Sequence, residues 1–153
     1  MNKLLCSWVF SILVINLVLF NAFADEKNLA YNSSFEEVLE EIPLYWYIWT
    51  FDQSPGASEF KVEKGPGLNG NNCAVIVNNK PNDARLIQNI EVKQNSKYKL
   101  SAWIKSQDVK TETLGANISV YGHLGTSSDI KGTVSEWQYV VLYVSTGEDI
   151  TEL

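Results

Sequence analysis

From Tyr45 onward the apolar and aromatic residues of this 153-residue chain come in short runs separated by Gly, Pro, Asn, Asp and Ser. That is the pattern of strands joined by turns. The runs predict strands near 44–52, 58–64, 73–78, 84–92, 97–106, 115–123 and 136–146, with loops at 65–72 and 122–132. Helical periodicity is nearly absent. The one stretch with helical character, 35–42, gathers Glu36, Glu37, Glu40 and Glu41 and is ended by Pro43, so it reads as a turn or a short helix. Seven strands at regular spacing, with no internal repeat, predict an all-β fold of two packed antiparallel sheets, a β-sandwich or jelly roll.

Period-two alternation assigns faces. Along 98–105, Tyr98, Leu100, Ala102 and Ile104 fall on the core side, so Ser101, Trp103 and Lys105 point outward. Along 116–123, Ile118 and Val120 face inward and leave Asn117, Ser119, Tyr121 and His123 outside. The last strand is apolar on both faces, with Val140, Leu142 and Val144 alternating with Tyr139, Val141 and Tyr143. A sheet with Trp103, Tyr121, Tyr139 and Tyr143 on its outer face presents an aromatic surface that needs a use.

The first 24 residues stand apart from this pattern. Lys3 precedes an apolar stretch from Leu4 to Phe20, and Ala22-Phe23-Ala24 has the small-x-small form that signal peptidase accepts, so 1–24 reads as a cleaved signal peptide of a secreted or cell-surface protein. An uncleaved anchor is the alternative, since about 17 apolar residues lie at the short limit of a span. The polar Asp25-Glu26-Lys27-Asn28 that follows has no basic stop-transfer cluster, which favours cleavage and no membrane contact afterwards. Residues 25–153, 129 in all, suffice for one domain and not for two. Cleavage removes Cys6 and leaves Cys73 without an intrachain partner, so the domain is not disulfide-stapled. The whole chain carries a formal −6, and loss of Lys3 leaves 11 basic residues against 18 acidic, a formal −7. That balance disfavours nucleic acid and anionic membrane surfaces as partners.

Several segments resemble the carbohydrate-binding modules of families four and nine, the jelly-roll modules attached to bacterial polysaccharide-degrading enzymes. Asn28-Leu29-Ala30-Tyr31-Asn32-Ser33-Ser34-Phe35-Glu36 is similar to their "NLLxNxxFE" opening, and Pro43-Leu44-Tyr45-Trp46 to the "PxxW" after it. Leu86-Ile87-Gln88-Asn89-Ile90-Glu91-Val92 resembles "xxQxIxV", and Tyr98-Lys99-Leu100-Ser101-Ala102-Trp103-Ile104-Lys105 resembles "YxLSAWVK". Gly132-Thr133-Val134-Ser135-Glu136-Trp137 is similar to the family's last Trp segment. These elements occur in the family's order. The resemblance implies a further terminal strand, often ending "fDDv", where this chain has Glu148-Asp149-Ile150-Thr151-Glu152-Leu153. The domain is therefore expected to be either C-terminally truncated or left with an open sheet edge. A structural Ca2+ is also implied, with Glu36 as the carried-over ligand, since a hard cation takes carboxylate and carbonyl oxygens. A solvated turn carboxylate is the other reading of Glu36.

Sugar rings offer flat C–H faces to Trp and Tyr, and hydroxyls to polar rim groups. Of 18 aromatic residues, 14 lie beyond residue 24. Trp103 leads the candidates because its strand neighbours set its direction; Tyr121, Tyr139 and Tyr143 follow, then Trp49 with Tyr47, which alternate away from Trp46. Arg85, Gln88, Asn117 and His123 are the polar candidates, although Gln88 can equally serve a backbone group. A glycosidase needs two carboxylates at a set separation, and none is placed by strand alternation on the aromatic face. One His and one Cys cannot make a zinc site, and no Ser elbow, phosphate loop or HExxH is present. The expected function is thus a monomeric polysaccharide-binding module, non-catalytic itself and carried by a glycoside-hydrolase-type protein. The alternative is a cell-surface adhesion module docking protein, favoured if the chain covers its own outer aromatics; a small hydrolase is the third reading.

Overall fold

The computed structural model describes residues 27–153, so the predicted signal peptide at 1–24 lies outside the described residues. The fold is all-β and every ladder is antiparallel, as the alternation predicts. Among the described residues eight strands form four two-stranded ladders: β1 (Val38–Leu39) with β2 (Ile42–Pro43), β3 (Tyr47–Thr50) with β6 (Ala84–Ile87), β4 (Ser58–Glu63) with β5 (Cys73–Asn78), and β7 (Lys97–Val109) with β8 (Gly132–Ser145). No described helix is long and apolar enough to cross a membrane.

The acidic stretch at 35–42 is a hairpin rather than a helix. β1 and β2 pair Val38 with Pro43 and Leu39 with Ile42, and the two turn residues, Glu40 and Glu41, both have positive φ, 50° and 68°. Two-residue hairpins want this geometry because its twist matches that of the strands, but it suits Asn-Gly rather than two β-carbon-bearing like charges. Replacing Glu40 by Asn together with Glu41 by Gly is expected to stabilise the chain by about 1 kcal/mol. The melting midpoint should rise by roughly 3–5 °C; an unchanged or lower midpoint in a thermal scan would contradict the turn geometry.

Before this hairpin, Asn32 organises the segment 28–37. Its side-chain amide donates to the carbonyls of Glu37 at 2.7 Å and Leu44 at 3.1 Å, and its carbonyl oxygen accepts the Glu37 N–H at 3.0 Å. Trp46 packs its ring 5.4 Å from that of Phe35 and donates from Nε1 to the Asn32 carbonyl at 3.4 Å. The loop at 65–72 closes on Gly67, whose N–H donates to the Asn71 carbonyl at 2.8 Å; a β-carbon there would meet the Asn71 and Asn72 carbonyl oxygens.

The predicted strand at 84–92 ends at Ile87 because Gln88 turns its amide to other work. Residues 90–92 pair instead with 151–153: Ile90 and Leu153 exchange N–H···O bonds, and the Val92 N–H donates to Thr151 at 2.9 Å. The predicted strand at 115–123 does not form either. Only two isolated bridges, Ala116 to Ile130 and Ser119 to Thr126, join the arms of a loose excursion. Side chains share its bonding: the Ile118 N–H donates to Ser127 Oγ at 2.9 Å and the Asn117 side-chain amide to Asp129 at 2.9 Å, while Ala116 and Ile130 exchange backbone bonds and the Ser127 N–H donates to the Ile118 carbonyl. Gly122, at φ 76°, turns the chain before a strand can run on. Short polar side chains here supply what a ladder would have supplied.

β7 and β8 make the longest ladder, running from Lys97 opposite Ser145 to Val109 opposite Gly132, with register shifts beyond Ile104. One face of it carries the core. Val140, Leu142 and Val144 are only 3–6 % exposed, and Leu100, Ala102 and Ile104 are half-buried beside them, as period-two alternation predicts. Thr146 latches the end of this hairpin: its hydroxyl meets the Lys93 carbonyl at 2.6 Å and accepts the Ser96 N–H at 2.9 Å.

Candidate functional site

The other face of β7 and β8 carries the site. Residues two apart on a strand share a face, and opposed residues in the ladder are neighbours across it. Lys97, Lys99, Ser101 and Trp103 on β7 stand opposite Ser145, Tyr143, Val141 and Tyr139 on β8. Trp103 and Tyr139 are in ring contact at 5.0 Å with planes inclined by 46°. Both remain open to solvent, at 47 % and 46 %, and Tyr143 reaches 73 %. Lys99 lies over the Tyr139 ring at 5.9 Å, and Lys105 over the Trp137 ring at 4.8 Å. Cation–π contacts of this kind hold a long side chain to a ring face at about 0.5–1 kcal/mol each.

Trp49 and Arg85 form a second exposed group on the β3–β6 ladder. They are opposed in register, and the guanidinium lies 5.0 Å from the indole centroid. Asp83 grips the same guanidinium in a two-pronged pair, with Arg85 Nε donating at 2.8 Å, and this hydrogen bonding raises the affinity of Arg85 for its proton. Tyr47 is exposed on the same strand as Trp49.

The remaining predicted residues are placed elsewhere. Gln88 is a clasp: its oxygen accepts the Tyr31 N–H at 2.8 Å, and its amide donates to the carbonyls of Tyr31 at 2.9 Å and Tyr45 at 3.1 Å. Its hydrogen-bonding groups are spent on backbone, so it does not serve as a rim donor. Asn117 is likewise spent on Gly115 and Asp129 inside the 115–130 excursion. The Gly115 N–H, followed by the Asn117 amide, holds the Asp129 carboxyl below the ordinary carboxylate range. Tyr121 is fully exposed, at 102 %, but stands on that excursion and not on the β7–β8 ladder. His123 sits in the turn closed by its N–H on the Val120 carbonyl, and its Nδ1 accepts the Gly125 N–H at 3.0 Å. Tyr121, Asn117 and His123 thus leave the outer face of a strand that does not form.

Glu36 is tied to the loop at 65–72. Its Oε1 accepts the Asn72 N–H at 3.2 Å, and the Phe35 carbonyl takes the Asn72 side-chain amide at 3.0 Å. Among the described residues no three His, Cys, Asp or Glu side chains gather in a way that could hold a metal ion. Calcium takes six to eight oxygens, and one carboxylate already serving a loop N–H does not fit that demand. Cys73 starts β5 as a free, half-buried thiol whose proton is held more tightly than usual, first by burial and then by the nearby Glu63 carboxylate.

Three features of the site were not anticipated. Trp137 joins the aromatic row; continuing the Tyr143–Tyr139 parity two residues back along β8 would have found it. Lys97 and Lys99 extend the outward row that the same alternation gives to Lys105. The exposed Tyr31–Tyr45 pair, with rings 5.8 Å apart, had no signal, since it depends on a positive φ of 72° at Tyr45.

A family model described as a carbohydrate binding domain, of the four/nine type, matches residues 27–151. No curated protein and no solved structure matches the chain.

Proposed function

The chain belongs to the carbohydrate binding domain family of the four/nine type, and from that premise we propose that it holds a polysaccharide against the outward aromatic face of β7 and β8 without acting on it chemically. The observation that carries this reading is the Trp103–Tyr139 pair, flanked by Trp137 and Tyr143 and left open to solvent. Aromatic rings of this kind supply apolar area to sugar C–H faces and are lost from the site by single substitutions. The 97–105 and 137–145 positions of this face contain no carboxylate, so it lacks the acid pair that glycoside hydrolysis requires. The leader pattern at 1–24 supports export, and the family resemblance supports service as a monomeric accessory module of a polysaccharide-degrading protein outside the cell.

An adhesion role would be favoured by aromatics covered by the chain itself; Trp103, Tyr139 and Tyr143 are instead exposed, which favours the glycan reading. Titration calorimetry against oligosaccharides of xylan, β-glucan and cellulose tests it. Heat of binding to at least one of them, at micromolar to millimolar Kd, is the expected result. Absence of binding to any glycan would overturn the reading.

A further inference from the structure

We propose that the chain carries a second sugar-binding site, on the β3–β6 ladder, where an uncharged sugar ring lies on Trp49 and Tyr47 with its hydroxyls bonded to the Arg85–Asp83 ion pair. The inference goes beyond the β7–β8 reading and shares with it only the premise that the family binds carbohydrate.

The site begins with the parity of one strand. Tyr47 and Trp49 are two residues apart on β3 and share a face, and the positions opposite them on β6 are Ile87 and Arg85. The same parity carried past the end of β3 reaches Phe51, whose N–H donates to the Asp83 carbonyl at 2.9 Å and keeps the two segments together. All three rings are exposed, Tyr47 and Phe51 by more than half. Apolar residues scattered singly over a surface need no explanation, but a row of rings beside a fixed polar group is a different object.

That polar group is held from two sides. The Arg85 guanidinium lies 5.0 Å from the Trp49 ring centroid, and Asp83 binds it through both Nε, at 2.8 Å, and Nη2. Stacking and a two-pronged pair together fix a side chain that would otherwise wander. Arg85 and Asp83 remain about half exposed. Their pairing leaves further guanidinium N–H donors on one and further carboxylate lone pairs on the other, both turned to the edge of the indole.

This composition selects the ligand. An ion pair matched within itself carries no net charge, so it calls for neither an anion nor a cation; it offers donors and acceptors side by side. Hydroxyl groups both donate and accept, and a sugar ring joins a rim of them to a flat C–H face. A protein seated over Trp49 would bury the ion pair, and its desolvation would offset much of the gain from covering the rings. A sugar lies on the ring and meets the pair edge-on, leaving it hydrated. No ladder among the described residues joins β3 or β6 to β7 or β8, so loss of one site leaves the residues of the other in place.

Titration calorimetry of the full chain with short oligosaccharides of xylan, β-glucan and cellulose tests the proposal, with Trp49→Ala, Arg85→Gln and Trp103→Ala variants shown to melt as the parent does. The parent should take two molecules per chain of an oligosaccharide that it binds. Trp49→Ala and Trp103→Ala should each keep one binding event and weaken the other roughly ten- to a hundredfold. Arg85→Gln, which leaves the rings in place, should weaken one event roughly three- to tenfold, the range for lost hydrogen bonds, and leave the other unchanged. Trp49→Ala with the parent's stoichiometry and affinity overturns the second site and leaves the β7–β8 reading in place. Trp103→Ala without effect, while Trp49→Ala loses all binding, overturns both the two-site count and the β7–β8 reading. No binding by the parent overturns both as well. Parent chains that dimerise in sedimentation, with Trp49→Ala chains staying monomeric, overturn the sugar in favour of a second copy of the chain.

Discussion

Trp103→Ala lowers affinity for the bound polysaccharide by roughly ten- to a hundredfold, the range expected when a central aromatic anchor is truncated. Trp103 sits at the middle of the outward row, in contact with Tyr139 and framed by lysines on its own strand. Its removal deletes an exposed indole from the row and leaves the Tyr139 ring without the neighbour it packs against. Because the two rings touch, their effects are coupled: Tyr139→Ala should also weaken binding, and the double variant should lose less than the sum of the two. The indole is nearly half exposed, so the substitution should cost the fold no more than about 1 kcal/mol. Calorimetry on a variant shown to melt normally is the measurement. Undiminished affinity in such a variant would remove Trp103 from the site.

Leu142→Ala is the largest expected loss of stability, and Tyr143→Ala, one residue on, is its control. Leu142 is 6 % exposed between Val140 and Val144, and with Ala57 and Pro43 these are the buried apolar side chains among the described residues. Truncating a buried leucine costs about 2–5 kcal/mol through lost transfer energy and the cavity left behind. Against the 5–15 kcal/mol that typically separates folded from unfolded, that is about a third of the total at mid-range. Urea unfolding should show a midpoint displaced strongly downward with an unchanged slope. Tyr143 points to the other face and is 73 % exposed, so its truncation should leave the midpoint within about 0.5 kcal/mol while weakening glycan binding. Comparable losses of stability from the two substitutions would contradict the alternation of β8.

The parts of the fold legible in the sequence are those where one physical rule acts alone. β5 occupies 73–78 as predicted, because an uninterrupted apolar run lies between polar turns. β7 and β8 read correctly by face, because Leu100, Ala102, Val140, Leu142 and Val144 repeat every second residue. The parts not legible depend on side chains reaching backbone. At 115–123 the alternation is present, yet Ser127 Oγ takes the Ile118 N–H that a partner strand would have taken, and Gly122 turns the chain. At 88–92 the run reads as one strand with 84–87, and nothing local shows that Gln88 would turn to Tyr31 and Tyr45. Glu40 and Glu41 adopt positive φ against their own preference, which no local signal foretells. Candidate site residues divide on the same line: Trp103, Tyr139 and Tyr143 stand together because a regular ladder carries them, whereas Gln88, Asn117 and Tyr121 are placed by irregular backbone.

The inclination of 46° between the Trp103 and Tyr139 planes bears on the form in which a polymer can be engaged. Two rings so inclined cannot both lie flat against one plane, and a two-stranded ribbon twists along its length, the more so where its register shifts. The face of a crystalline fibre would therefore touch one ring at a time. A single dissolved strand, free to rotate about each glycosidic linkage, could follow the row from ring to ring.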